Sequence, residues 1–256
     1  MKVISFNANG IRSAGRKGFY DWLAGQNADY VCIQETKAQI NQLESEQLYF
    51  PTDYYCEYVD AEKKGYSGVA IYAREKPNKV IKEIGFGTCD KEGRYLQFDY
   101  DDFSIISLYL PSGTSGDERQ AVKFDFLARF AEHLHGLKSE GRELIICGDF
   151  NIAHKKIDIK NWRGNQKNSG FLPEERAWLD EVFGPMGFMD AFRVVNQLED
   201  EYTWWSNRGQ AWEKNVGWRI DYQVITQGLE VVGADIYRSN RFSDHAPLSI
   251  QYRGKQ

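Results

Sequence analysis

Seven short apolar runs are spread along this chain almost from end to end: Lys2–Phe6, Tyr30–Gln34, Gly68–Ala73, Phe103–Leu110, Glu143–Cys147, Asp221–Ile225 and Leu248–Tyr252. Each is rich in β-branched or aromatic residues and is bounded by Gly, Pro, Asp or Asn, the composition of a buried strand. A chain built this way has to fold around sheets. Helical periodicity lies between some of the runs. Phe19, Trp22 and Leu23 make one apolar stripe. Leu127, Phe130, Ala131, Leu134 and Leu137 make a longer one, with Ser115 and Glu118 reading as a capping box near its start. Pro173, Glu174 and Glu175 open a third that contains Trp178, Leu179, Val182 and Phe183. Short strands mixed with a few helices give an α/β or α+β fold. With no linker, repeat or low-complexity tract, residues 1–256 read as one domain. A chain of 256 residues, 42% of them apolar, can bury one large core.

The runs end in an unusual way. Val3–Phe6 stops at Asn7 and Asn9, Val31–Gln34 at Glu35, and Leu144–Cys147 at Gly148, Asp149 and Asn151. Ser243-Asp244-His245 precedes the last strand. Each of these residues alone has an ordinary explanation: a turn asparagine, a surface carboxylate, a satisfied structural histidine. Together they place amides, carboxylates and an imidazole at strand ends, where the sheet fixes the backbone and can hold a reactive group. Carboxylate and amide oxygens with few nitrogen or sulfur donors suit a hard cation such as Mg2+ and argue against zinc.

Charge and cysteines narrow the setting. The net charge is −5, which by itself speaks against a nucleic-acid partner. Its distribution speaks the other way: Lys155, Lys156, Lys160, Arg163 and Lys167 fall between Asn151 and Gly170 beside a single acid, Asp158. A solvated charged face would look the same on charge alone. The cysteines, Cys32, Cys56, Cys89 and Cys147, have no metal or redox spacing, and Cys32 and Cys147 lie inside apolar runs. They are expected as reduced, mostly buried thiols. The N-terminal apolar run is too short for a signal peptide, and no segment has the length of a membrane span, so a cytoplasmic protein with no membrane partner is expected.

Six strings, in order along the chain, carry a family resemblance: Phe6-Asn7-Ala8-Asn9-Gly10-Ile11-Arg12, Gln34-Glu35-Thr36-Lys37, Tyr66-Ser67-Gly68-Val69, Gly148-Asp149-Phe150-Asn151, Trp218-Arg219-Ile220-Asp221-Tyr222 and Ser243-Asp244-His245. The chain resembles the exonuclease III family of AP endonucleases, within the DNase I-like endonuclease/exonuclease/phosphatase superfamily. Asn168-Ser169-Gly170-Phe171 and Asn215-Val216-Gly217-Trp218 are similar to the subgroup of the major animal AP endonuclease. The resemblance implies a four-layer sandwich of two mixed β-sheets flanked by helices, with the active site at one edge.

It also implies roles. Glu35 matches the principal metal ligand, and Asn7, Asn9, Asp149, Asn151 and Asp244 match positions at or beside the metal; some relatives carry Asp where this chain has Asn9. The expected ion is Mg2+, with Mn2+ able to substitute. Asp149 matches the residue that orients or deprotonates the attacking water, and Asn151 one that stabilises the transition state. His245 matches the histidine on the scissile phosphate, oriented by Asp221, and Tyr109 the phenol that contacts phosphate or leaving group. Trp204 and Trp218 match an aromatic pocket for a baseless sugar, and Asn168 a phosphate- or site-contacting position. The basic run would track the DNA backbone. Ser115 stands where animal relatives have Arg, and Arg208 occupies an intercalating position that is apolar elsewhere, which changes how DNA would be wedged.

The implied activity is Mg2+-dependent cleavage of duplex DNA 5′ to abasic sites by a monomer, leaving a 3′-hydroxyl, with possible action on blocked 3′ ends. Other readings share the same core: a 3′-end-processing exonuclease or phosphatase, a phosphoinositide phosphatase, a sphingomyelinase or a general DNase. A non-catalytic DNA- or protein-binding module is a different class, expected to have lost one of Glu35, Asp149, Asn151, Asp221 or His245. All are present.

Overall fold

The computed structural model describes residues 1–254. Its strands are β1 (Lys2–Asn7), β2 (Tyr30–Gln34), β3 (Tyr55–Val59), β4 (Val69–Ala73), β5 (Lys79–Ile81), β6 (Tyr95–Asp99), β7 (Phe103–Tyr109), β8 (Glu143–Asp149), β9 (Met189–Asp190), β10 (Trp204–Trp205), β11 (Gly217–Trp218), β12 (Asp221–Ile225), β13 (Val231–Ile236) and β14 (Leu248–Tyr252). The helices are α1 (Ile11–Arg16), α2 (Phe19–Ala24), α3 (Gly87–Lys91), α4 (Asp117–Ser139), α5 (Trp162–Asn165), α6 (Pro173–Phe183) and α7 (Ala191–Val195).

Beside a separate two-stranded ribbon of β10 and β11, one six-stranded sheet runs β13-β14-β1-β2-β4-β3 and the other β5-β6-β7-β8-β12-β9. Both are mixed, because β1 pairs parallel with β2 and β7 parallel with β8, while the other pairings are antiparallel. A parallel neighbour needs a long crossover, and α1 and α2 supply one while the 23-residue α4 supplies the other. The central strands are buried on both faces. Val3, Cys32, Ile71, Phe98, Ile145, Cys147 and Ile250 meet between the sheets. Ile106, Leu144, Ile146 and Val224 turn outward onto Phe126, Phe130 and Leu134 of α4 and Leu179 and Val182 of α6. Ile4, Phe6, Val31 and Ile33 cover Ile11, Phe19 and Leu23 of α1 and α2. The result is four layers, helices outside two sheets, and it explains why these strands read as continuous apolar runs.

The capping box expected at Ser115 and Glu118 is not formed. The helix is capped one residue further on, at Gly116, with no side-chain cap, and Glu118 falls inside its first turn. The expected strand ends are extended by a residue or two at Asn7 and Asp149, so these residues belong to the ladders themselves. All four cysteines are free, and Cys32, Cys89 and Cys147 are buried. Among the described residues no helix is long and apolar enough to cross a membrane.

Candidate active site

The parallel pairs bring strand C-termini to one edge of the sandwich. In one sheet Asn7 is in register with Gln34, the residue before Glu35. In the other, Asp149 is flanked by Tyr109 on β7 and Asp221 on β12. Gly148 makes the β7–β8 approach possible, since a Cβ there would stand 2.3 Å from the Leu108 carbonyl oxygen. Immediately beyond the strands the chain takes left-handed turns at Asn9 (φ 41°), Glu35 (φ 48°) and Asn151 (φ 51°). Asparagine adopts such backbone readily, whereas at Glu35 it costs about 1–3 kcal/mol and fixes the carboxylate at the end of β2.

Asn7 stitches the sheets together. It is fully buried, and its Nδ2 donates to Glu35 Oε1 at 2.9 Å and to Asp149 Oδ2 at 2.8 Å, while its Oδ1 accepts from the Asn9 amide at 2.9 Å. Asn9 Nδ2 donates to Asp244 Oδ1 at 2.9 Å. The Asn9 Oδ1 receives the Lys37 ammonium, which also lies 2.9 Å from Glu35 Oε2. Asp244 accepts from the Trp204 indole at 3.2 Å. Asp149 Oδ1 accepts from the Asn151 backbone at 2.8 Å, and Asn151 Nδ2 donates to the Leu110 carbonyl at 2.9 Å.

His245 is buried, with Nδ1 2.8 Å from Asp221 Oδ2 and Nε2 3.8 Å from Asp149 Oδ2. The imidazole therefore points one nitrogen at an orienting carboxylate and the other at the reactive edge. Burial disfavours its charged form, but the carboxylates of Asp221, Asp149 and Asp244 outweigh burial and raise its pKa to about 10. Burial and the charges of Asp221 and Glu35 hold the Asp149 carboxyl above its ordinary range, against the opposing pull of His245. Burial, then the Glu35 charge, pushes the Tyr109 phenol well above its usual value, so it stays protonated and can donate a hydrogen bond.

These groups open on a cleft of about 810 Å³ lined by Glu35, Tyr109, Asp149, Asn151, Asn168, Trp204, Trp218, Asp244 and His245. Asn7 and Asp221 lie behind that wall as supports. Trp204 and Trp218 face each other across β10–β11, rings 6.0 Å apart and edge to face, both half-buried rather than core. Asn168 is exposed at the lip, its amide on Asn165. Arg208 is exposed and does not line the cleft.

Ligand atoms of Glu35, Asp149 and His245 lie within 4.8 Å of one another, a spacing that a single metal ion can bridge. Two of the three are carboxylates and one an imidazole nitrogen; Asp244 and Asn151 beside them add a carboxylate and an amide oxygen, with no sulfur. A cation, the Lys37 ammonium, already rests on the outer oxygens of Glu35 and Asn9. The residues present thus fit a hard divalent ion.

Residues 4–245 match the Endonuclease/Exonuclease/phosphatase family. The chain belongs to that family. An exodeoxyribonuclease of Bacillus subtilis is 37% identical over 98% of either chain. A DNA-(apurinic or apyrimidinic site) endonuclease of Dictyostelium discoideum is 35% identical over 98% of this chain and 70% of its own. The structure of an AP endonuclease from Archaeoglobus fulgidus superposes with a TM-score of 0.88 at 28% identity, covering 98% of this chain and 99% of the other. The chain is thus an enzyme of this family, in the branch with exodeoxyribonuclease and AP endonuclease relatives, and its two flanked mixed sheets are the family's fold.

Several residues of the site were not singled out by the sequence. Lys37 stands two residues after Glu35, and its proximity was a usable signal. Thr203 Oγ1 accepts from the backbone of Ile220 and Asp221, both at 3.1 Å, and so fixes the start of β12. Lys123 and Glu175 are fully buried and paired at 2.6 Å. The Lys123 ammonium also donates to the Asn151 carbonyl at 2.8 Å, and Glu175 Oε2 accepts from the Gly170 amide at 2.6 Å. A lysine three residues before Phe126, on the apolar stripe of α4, was the sign of that pair.

Proposed function

We propose that this protein is a divalent-metal-dependent DNA repair phosphodiesterase that cuts duplex DNA on the 5′ side of abasic sites. The observation that carries the reading is the oriented pair His245–Asp221 facing the Glu35–Asp149 carboxylates across one cleft, with two half-buried tryptophans beside it.

Phosphodiester hydrolysis builds negative charge on the non-bridging oxygens and on the leaving 3′ oxygen. Glu35, with oxygens of Asp149, Asp244 and Asn151, would hold Mg2+ or Mn2+, and the bound ion would supply electrostatic stabilisation of that charge. Asn7 and Asn9 act here through their amide nitrogens, bracing the carboxylates, rather than as ligands. Asp149 orients a water and takes its proton as the oxygen attacks phosphorus. His245, protonated and oriented by Asp221, donates from Nε2 to a phosphate oxygen. The Tyr109 phenol and the second Asn151 N–H donate to the phosphate or the departing 3′ oxygen. The phosphorus–O3′ bond breaks, leaving a 3′-hydroxyl on one side and a 5′-phosphate on the other.

Trp204 and Trp218 close a pocket for the flipped, baseless sugar. Extrusion from the stack costs least at a damaged position, so the pocket favours an abasic nucleotide over an intact one within a duplex. Asn168 at the lip holds a neighbouring phosphate, and Arg208, outside the cleft, meets the duplex further along. The same centre hydrolyses 3′-phosphates and other blocked 3′ ends, and removes 3′ nucleotides, because the reacting phosphate is common to all. All these groups come from one chain, consistent with action as a monomer. The test is a competition in which one abasic-analogue duplex and an otherwise identical intact duplex share the same protein and Mg2+. Preferential incision of the abasic strand is expected; equal cutting of both, or cutting of neither, refutes the proposal.

A further inference from the structure

The basic run between Asn151 and Gly170 does not present five equivalent cations. The Lys155 ammonium is answered by the Asp180 carboxylate, which also accepts from His154. Lys160 is answered by Asp200 at 2.8 Å. Asp158, the acid inside the run, is turned inward: it is 1% exposed and bonded to Arg219 at 2.8 Å and Arg193 at 2.7 Å. Its charge is matched in the interior and does nothing for the surface.

Two of the remaining cations converge on one ring. The Lys156 ammonium lies 4.1 Å from the centroid of the Trp162 ring, and the Arg163 guanidinium carbon 4.6 Å from it. Neither is paired with a carboxylate among the described residues. A cation over a half-buried indole gains about 0.5–2 kcal/mol. Two cations held at one ring without a carboxylate partner concentrate positive charge there. An anion bound against the pair relieves that charge. Trp162 is itself anchored. It packs, half-buried, on the apolar cluster of Ala153, Ile159, Phe171 and Ile220 that also supports Trp218. A left-handed turn at Asn161 (φ 56°) sets it there. The Lys160 amide to the Gly217 carbonyl (3.0 Å) and the Arg219 amide to the Asp158 carbonyl (2.7 Å) lock this loop to the strand that carries Trp218 into the cleft.

We propose that Lys156, Trp162 and Arg163 form one preorganised site for a backbone phosphodiester of DNA, in which the indole makes no base contact but holds the two cations in place. The inference rests on the nuclease reading above and specifies where the strand is gripped outside the cleft. Lys155 and Lys160, being neutralised, are outside it.

The experiment measures binding of a short intact duplex by fluorescence anisotropy, in EDTA so that no strand is cut, between about 50 and 200 mM salt. The slope of log K against log salt falls by about 0.9 for each phosphate that the protein no longer neutralises. Lys156→Ala and Arg163→Ala are each expected to flatten the slope by about 0.9, the loss of the one phosphodiester that needs both cations, and Lys155→Ala and Lys160→Ala to leave it unchanged. Trp162→Ala removes no charge, yet is expected to flatten the slope by at least as much as one cation. Trp162→Leu, which keeps an apolar side chain on the supporting cluster, repeats that test should the alanine variant unfold. An unchanged slope in both tryptophan variants overturns the organising role. Equal flattening by all four cation variants overturns the site in favour of a diffuse positive face. Failure of the wild-type protein to bind any duplex overturns the nuclease reading itself, whereas salt-sensitive binding with unchanged variant slopes overturns this inference alone.

Discussion

Lys123→Met tests the support beneath the cleft. Both members of the Lys123–Glu175 pair are fully buried, so removing the ammonium strands a carboxylate in the interior. Breaking a buried pair in this way costs about 3–5 kcal/mol. Here Glu175 keeps the amides of Gly170 at 2.6 Å and Leu172 at 3.1 Å and the Gln120 side chain at 3.1 Å, which places the cost near the lower bound, about 3 kcal/mol. For a chain of this length that is a fall in melting temperature of roughly 10 °C. The variant also frees the Asn151 carbonyl, and a misplacement of about 1 Å at such a residue costs turnover by up to roughly a hundredfold. Urea unfolding followed by tryptophan fluorescence reads the first effect and steady-state incision the second. The double variant Lys123→Met/Glu175→Gln removes the stranded charge, so it regains more than half of the lost stability while turnover stays low. The reasoning is refuted if Lys123→Met lies within about 1 kcal/mol of wild type, or if the double variant is no more stable than the single one.

Three further outcomes are expected. Asp149→Asn and His245→Ala each lower turnover by about 10²-fold or more, the scale of losing one preorganised group, with little change in melting temperature; near-normal rates in single-turnover assays would remove that residue from the chemistry. Trp218→Ala lowers kcat/KM on an abasic duplex by more than it lowers stability in urea, and equal proportional losses would assign the ring to the core. Asp158 stabilises the fold in a defined pH window. Burial raises its pKa, but the charges and hydrogen bonds of Arg219 and Arg193 outweigh burial and lower it to about 2. A depressed folded-state value means the contribution is complete above the unfolded value near 4 and disappears as pH falls towards 2; it amounts to about 2 kcal/mol. Asp158→Asn removes that acid limb in a melting-temperature profile, and an unchanged limb contradicts the assignment.

The fold was legible where strands are buried on both faces. β2, β12 and β14 end where the apolar runs do. The strands that the pattern hides are edges or carry buried polar groups. β3 and β13 form the two margins of their sheet, and β5 a margin of the other, so their exposed faces dilute the pattern. β6 is interior, but its Gln97 and Tyr95 bond to each other and make the run look polar. The site was legible because short motifs put its residues at strand ends. Side-chain direction was not. Nothing local tells that Asn7 turns its nitrogen, not its oxygen, to two carboxylates, one of them 142 residues away. Lys123 and Glu175, 52 residues apart, likewise meet only in the folded chain.

The central claim is decided by mapping the cut. A duplex with one abasic analogue, labelled at the 5′ end of the damaged strand, is incubated with the protein in Mg2+ or in EDTA and resolved on a sequencing gel. A single Mg2+-dependent product ending in a 3′-hydroxyl immediately 5′ to the lesion is predicted. Incision that persists in EDTA, a cut on the 3′ side, or no cut at all would contradict the account.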